Sequence, residues 1–156
     1  MRRKDRERGR EFAYEVIDQC EYGVMALAGE APYCIPLSFV RVGDDLYFHC
    51  ALQGQKLDRL RTDARVCVSF VTDTQPLYIA NELNYTTFFR SAVITGSAFE
   101  LTDPLEKTEA LRALCQKLLP DHFADFDKAA ARSLNVTGVW GIRIEEATGK
   151  EKARKG

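Results

Sequence analysis

Short runs of β-prone residues, set mostly in neighbouring pairs, constrain this chain more than any other feature. The runs at 22–28, 33–42, 45–51 and 65–71 are separated by Gly, Asp and Pro turn signals. Gly43-Asp44-Asp45 lies between two of them and reads as a tight hairpin. Further strands are predicted at 77–80, 88–101 and 138–144. About seven strands so arranged exclude a parallel βαβ repeat and predict an antiparallel sheet or barrel.

Helical spacing interrupts this pattern in a few places. Phe12, Ala13, Val16, Ile17 and Cys20 predict a short amphipathic helix within 6–20. Leu57, Leu60 and Ala64 suggest a two-turn helix after Gly54. Asp103-Pro104 with Glu106 is a helix start, followed by the apolar stripe Leu111, Leu114, Cys115, Leu118 and Leu119. Pro120 ends that helix, and a shorter one is predicted around 123–134. The reading is therefore one mainly β (α+β) domain with three to four peripheral helices.

Composition excludes several function classes. The 156 residues are 46% hydrophobic and 29% charged with a net charge of −1, so nothing draws the whole molecule to nucleic acid or membranes. Basic residues crowd 1–10 and 150–156, which are expected to be loosely ordered ends. No apolar run approaches the roughly 18 residues of a spanning helix, and the charged start is unlike a signal peptide. Five cysteines, odd in number and without a CxxC pair, suit a reducing cytoplasm.

Leu46-Tyr47-Phe48-His49-Cys50-Ala51 leads through Leu52-Gln53-Gly54 into Gln55-Lys56 and a helix. A helix start presents free N–H groups and partial positive charge, Gly54 admits close approach, and Lys56 adds a full charge. The spacing is not that of a Walker A loop, and an ordinary turn with a solvated lysine is the competing reading. Strand alternation puts Leu46, Phe48 and Cys50 on one face, Tyr47 and His49 on the other. His49 and Cys50 therefore do not share a metal easily, and no other ligand pair has metal-site spacing. A lone strand histidine is usually structural, but with a cofactor over its face it becomes a hydrogen-bond or proton donor. Arg90 and Ser91 start a long strand, where Arg90 pairs with an anion or a surface carboxylate. Trp140 is by default core or interface packing. No nucleophilic triad and no Rossmann-type glycine turn is readable.

The order of five segments resembles the FMN-binding split-barrel family related to pyridoxamine 5′-phosphate oxidase, nearest its nitroimidazole-resistance branch. They are Met1-Arg2-Arg3-Lys4-Asp5-Arg6-Glu7; Tyr33-Cys34-Ile35-Pro36-Leu37-Ser38-Phe39; Tyr47 to Ala51 with Gly54 and Lys56-Leu57-Asp58; Phe89-Arg90-Ser91; and Ile144-Glu145-Glu146-Ala147-Thr148-Gly149-Lys150-Glu151. The resemblance implies a six- to seven-stranded antiparallel split β-barrel, homodimeric, with FMN at the subunit interface. It implies that Pro36, Leu37, Ser38 and Phe39 run along the isoalloxazine ring and offer it backbone hydrogen bonds. His49, Cys50 and Ala51 would pass near ring and phosphate, and Gln55 and Lys56 would hold the phosphate. Arg90 and Ser91 would line the same cleft, Trp140 would come from the partner, and His49 would act beside the flavin. Gln55 stands where a basic residue is common, which costs the phosphate one charge contact. Cys50 replaces a commoner small polar residue, and Arg8-Gly9 interrupts the opening motif. The segment 81–87 reads as a polar loop shaping the substrate side.

The function so implied is an FMN-dependent oxidoreductase for a small aromatic or heteroaromatic compound, nitro compounds included, reduced by NAD(P)H or another donor. A non-catalytic FMN carrier or sensor of the same fold is the alternative. A nucleic-acid-binding barrel using the basic start is weakened by the balanced charge.

Overall fold

The computed structural model describes residues 3–153. Eight strands form one antiparallel sheet that curls without closing, accompanied by four α-helices. The strands are β1 (Glu7–Arg8), β2 (Tyr22–Leu27), β3 (Tyr33–Ser38), β4 (Val40–Val42), β5 (Asp45–Cys50), β6 (Arg65–Ile79), β7 (Asn84–Glu100) and β8 (Gly138–Lys152). Their order is β3-β2-β6-β7-β8-β5-β4, with β1 added to the end of β8. The helices are α1 (Arg10–Gln19), α2 (Gln55–Thr62), α3 (Pro104–Leu118) and α4 (Phe126–Ser133).

Alternation along the strands builds the core. Met25 and Leu27 of β2, Val66, Val68 and Phe70 of β6, Ala92 and Ile94 of β7, and Leu46 and Phe48 of β5 all point inward. Trp140, Ile142 and Ile144 of β8 complete that set, and α1 lays Ala13, Val16 and Ile17 into it. A smaller cluster forms on the other side of β5 and β8, where Val139 and Tyr47 meet Leu101, Ala110 and Leu111. Helix α3 covers that side. Its start is fixed by the Asp103 carboxylate, which accepts from the N–H groups of Leu105 and Glu106 at 2.9 and 3.0 Å.

The predicted antiparallel, mainly β architecture is what forms, with one strand more than the upper figure expected. Three differences have physical causes. The run 33–42 splits at Phe39, which turns its ring into the core between β3 and β4. The strands expected at 65–71 and 77–80 are one strand, β6. An irregularity between Thr72 and Gln75, with Asp73 at φ +53°, inserts an extra residue and lets pairing resume. The polar loop expected at 81–87 is instead the far end of a two-stranded arm, with Tyr78 stacked on Tyr85 at 4.5 Å.

The described residues of the basic ends carry regular structure at Lys4–Arg6, Glu7–Arg8 and, at the other end, up to Lys152. Glu7 and Arg8 pair with Lys150 and Gly149, Lys4–Arg6 form a 3₁₀ turn, and Arg8 bonds Glu151 at 3.1 Å. Unlike charges facing across a strand pair hold both ends down. Residues 1–2 and 154–156 lie outside the described part. Among the described residues no helix is long and apolar enough to cross a membrane.

Candidate functional site

Strand β5 delivers the chain to a turn that only glycine can make. Gly54 lies at φ +133°, ψ 162°, a backbone region closed to side chains, although open space surrounds the position of an added Cβ. From there α2 begins, with the N–H groups of Leu57 and Asp58 bonded to the Gly54 carbonyl at 2.8 and 3.2 Å. No side chain caps this start, so the preceding N–H groups of Gln55 and Lys56 have no partner within the helix.

Lys56 supplies the charge. It is half-buried, its Nζ lies 5.4 Å from the centre of the Phe48 ring, and no carboxylate among the described residues pairs with it. Burial pushes the ammonium below its ordinary value, only partly countered by the neighbouring Cys50. Burial likewise pushes the Cys50 thiol up. A partly desolvated cation beside unpaired helix N–H groups is suited to an anion such as a phosphate.

Helix α2 is held against the start of β3. The Arg59 guanidinium donates to the Ala31 carbonyl at 2.7 Å and stacks over the Tyr33 ring at 4.9 Å. Sequence reading passed over Arg59. Its position one helical turn after Lys56 was the available signal. The outcome is that the Gly54–Lys56 turn and strand β3 belong to one neighbourhood. Strand β3 ends the sheet path, so its outer edge keeps backbone groups without a strand partner. Pro36 and Ser38 face outward on it, whereas Leu37 packs against the core and Phe39 is fully buried. Leu37 and Phe39 thus have only backbone to offer a ligand. The Phe39 carbonyl is already taken by Lys117 of α3, whose Nζ donates to it at 2.9 Å and to Ile17 at 3.1 Å.

The remaining sequence candidates are dispersed. His49 is exposed on the face of β5 opposite Phe48, toward α3 and α4, as alternation predicted. Ala51 and Gln55 are exposed in the turn, and Cys50 abuts Gly138. Arg90 takes the surface-carboxylate alternative. Its guanidinium bonds Glu15 at 2.8 Å and Gln19 at 3.0 Å, with Asp73 at 3.7 Å, and stacks on Phe12. It therefore anchors α1 and does not join Lys56. Ser91 points to the other face of β7, donating to the Lys150 carbonyl at 3.4 Å. Trp140 is 3% exposed and packs in the core, the first of the two readings its sequence position offered. Its indole N–H has no protein hydrogen-bond partner. Among the described residues no group of three or more His, Cys, Asp or Glu side chains could hold a metal.

One face of the sheet lies uncovered beside β3. Pro36, Val24, Ser69, Val93 and Thr148 form a row across β3, β2, β6, β7 and β8. Tyr22, Val24, Val71 and Val93 are exposed on it. Ser69 and Thr148 interrupt its apolar side chains.

The family described as pyridoxamine 5′-phosphate oxidase matches residues 9–151. The chain belongs to that family. No curated protein matches it. Among solved structures it is similar to a protein of Bacteroides thetaiotaomicron described as a 5-nitroimidazole antibiotic resistance protein, at 24% identity and TM-score 0.77, covering 91% of this chain and 83% of that one. The flavocytochrome Anf3 of Azotobacter vinelandii aligns at 22% identity and TM-score 0.82, covering 99% and 72%. An FAD-binding protein of Mesorhizobium loti aligns at 22% identity and TM-score 0.66, covering 95% and 98%. At these identities the likeness shows the fold alone.

Proposed function

We propose that this member of the pyridoxamine 5′-phosphate oxidase family is a flavoprotein that binds FMN and acts as an oxidoreductase on small aromatic or heteroaromatic compounds. The observation that carries the reading is Lys56, a half-buried cation without an acidic partner at a helix start opened by Gly54. The residues fit the cofactor's chemistry. Gln55 and Lys56 N–H groups with the Lys56 ammonium would hold the phosphate. The free edge of β3 at Pro36, Leu37 and Ser38 would meet the polar edge of the ring. Bound FMN supplies hydride and electron transfer, while the protein positions and tunes it. The flavin of the Mesorhizobium loti neighbour and the flavocytochrome character of Anf3 support a flavin here.

In this reading the uncovered sheet face beside β3 is closed by a second copy, giving a homodimer with flavin at the interface. The visible spectrum of purified protein, an FMN titration and chromatography of the released cofactor test the binding claim together. Colourless protein that gives no flavin spectrum with added FMN overturns it; released FAD replaces FMN by the larger flavin.

One observation favours a second reading, a non-catalytic FMN carrier. His49, the expected proton donor, faces away from the side that carries Lys56 and Cys50. Stopped-flow reduction by NADH or NADPH, followed by turnover with nitroaromatics and quinones, separates the two. Flavin that stays oxidised identifies the carrier.

A further inference from the structure

Pairing of β1 with the end of β8 brings the chain's two basic ends side by side, although they stand far apart in the sequence. The β6–β7 arm reaches past that pair. Between them lies a cavity of about 740 Å³, a size typical of small-molecule sites. Arg6, Arg8 and Lys152 line it, together with the carboxylates of Asp5, Glu82 and Glu151.

These charges are unevenly matched. Arg8 holds Glu151 at 3.1 Å, and Asp5 is taken from outside the cavity by Arg3, which donates to both its oxygens at 2.6 and 2.7 Å. Glu82 is exposed at the tip of the arm. Arg6 is left over. Its side chain is only 22% exposed and makes no hydrogen bond among the described residues. The Asp5 oxygen beside it lies 3.9 Å away and is the one that Arg3 already holds at 2.6 Å. Residues 1–2 and 154–156 bring no acidic side chain. A guanidinium has five N–H donors, and burying them unpaired is costly. Lys152 donates to the Thr86 hydroxyl and pairs with no carboxylate among the described residues. Arg6 and Lys152 against Glu82 leave the lining with one positive charge in excess.

We propose that this cavity binds a small organic monocarboxylate, its carboxylate held by the Arg6 guanidinium and its apolar part against Phe88. The planar fork of an arginine matches the two oxygens of a carboxylate, and a monoanion brings the lining to neutrality. A dianion would leave an excess negative charge facing Glu82. Phe88 supplies an aromatic surface inside the cavity, and the exposed amides of Asn81 and Asn84 add neutral donors. Most of the length of β8 lies between this cavity and the Gly54–Lys56 turn of the same subunit. That strand starts beside Cys50 and reaches β1 only near its end. The inference does not rest on flavin binding.

The probes are benzoate and its uncharged counterpart benzamide, titrated calorimetrically into the full chain. Saturable benzoate binding that benzamide does not reproduce is expected. Arg6→Gln should weaken benzoate by about ten- to a hundredfold, the range for a hydrogen bond to a charged group, and leave the FMN titration unchanged. Arg6→Lys keeps the charge without the fork and should recover only part of the affinity. Lys128→Gln makes the same change of net charge at an exposed position of α4 and should leave benzoate bound as before, as should Lys56→Met. Five results overturn the inference. They are no saturable benzoate binding; benzamide binding as tightly; affinity that survives Arg6→Gln or falls equally with Lys128→Gln; loss of benzoate in Lys56→Met or its displacement by FMN, which would place it in the flavin's own site; and tighter binding of phenyl phosphate, which would make the ligand a dianion.

Discussion

Lys56 is a side chain whose cost and use are coupled. Burial lowers its pKa in the folded protein, so the unfolded chain holds its proton more tightly. Stability is then reduced at neutral pH and recovers as pH rises from the lowered value toward 10.5. Replacing Lys56 by methionine is expected to remove that rise, read as the wild-type minus variant difference in denaturant midpoint across pH 8 to 11. The same change should weaken FMN by about ten- to a hundredfold, the range for a hydrogen bond to a charged group, in a fluorescence titration. Gly54→Ala tests the backbone at the same turn. Its φ of +133° is strained for any side chain, so a loss of about 1–3 kcal/mol is expected in chemical melts. At this scale the sequence was informative about type and poor about pairing. Gly54 and Lys56 could be read from their place before a helix. The ties of Arg90 to Glu15 and Gln19 join residues 71 and more positions apart, and no local pattern announces such partners. Arg59 escaped for the same reason, since its partner is a carbonyl, which any residue supplies.

Elements carry the next level of constraint. Lys117 connects three of them, bonding the end of α1 and the junction of β3 and β4 from the last turn of α3. Lys117→Met should strand the Phe39 and Ile17 carbonyls, at a cost of about 1–3 kcal/mol by urea melt. If β3 holds the ring, the same variant should also weaken FMN while leaving α-helical circular dichroism intact. Legibility here followed burial. Strands with one face on the core, such as β2 and β5, announced themselves by alternation, and α3 by its cap and stripe. The β6 side of the arm was legible at 77–80, but its β7 side was not, because beyond Phe89 the arm pairs with no third strand among the described residues. Its residues Asn81, Asn84, Thr86 and Thr87 lack the apolar alternation that a buried face imposes, and they read as loop.

The whole molecule is an open sheet with its core on the concave side and an apolar row on the other. That row should be buried by a second copy of the chain. Val93→Glu, at the centre of the row and 40% exposed, should yield a monomer by light scattering and lower flavin content at equal folded protein. A dimer that survives Val93→Glu would place the subunit contact elsewhere. The outward face extends past the main sheet along the arm, where Pro76, Tyr78, Tyr85 and Thr87 share its side. Continuity of that kind depends on Asp73. Three residues of β6 span the distance covered by two of β7 at this point, and the extra residue keeps the two halves of the strand in phase. Asp73 is thus a spacer that sets parity. Deleting one residue there would keep both faces, whereas regular pairing through this point with every residue kept would exchange inside for outside from Pro76 to Ile79. Leu77 and Ile79 would turn to solvent, and Tyr78 would leave Tyr85.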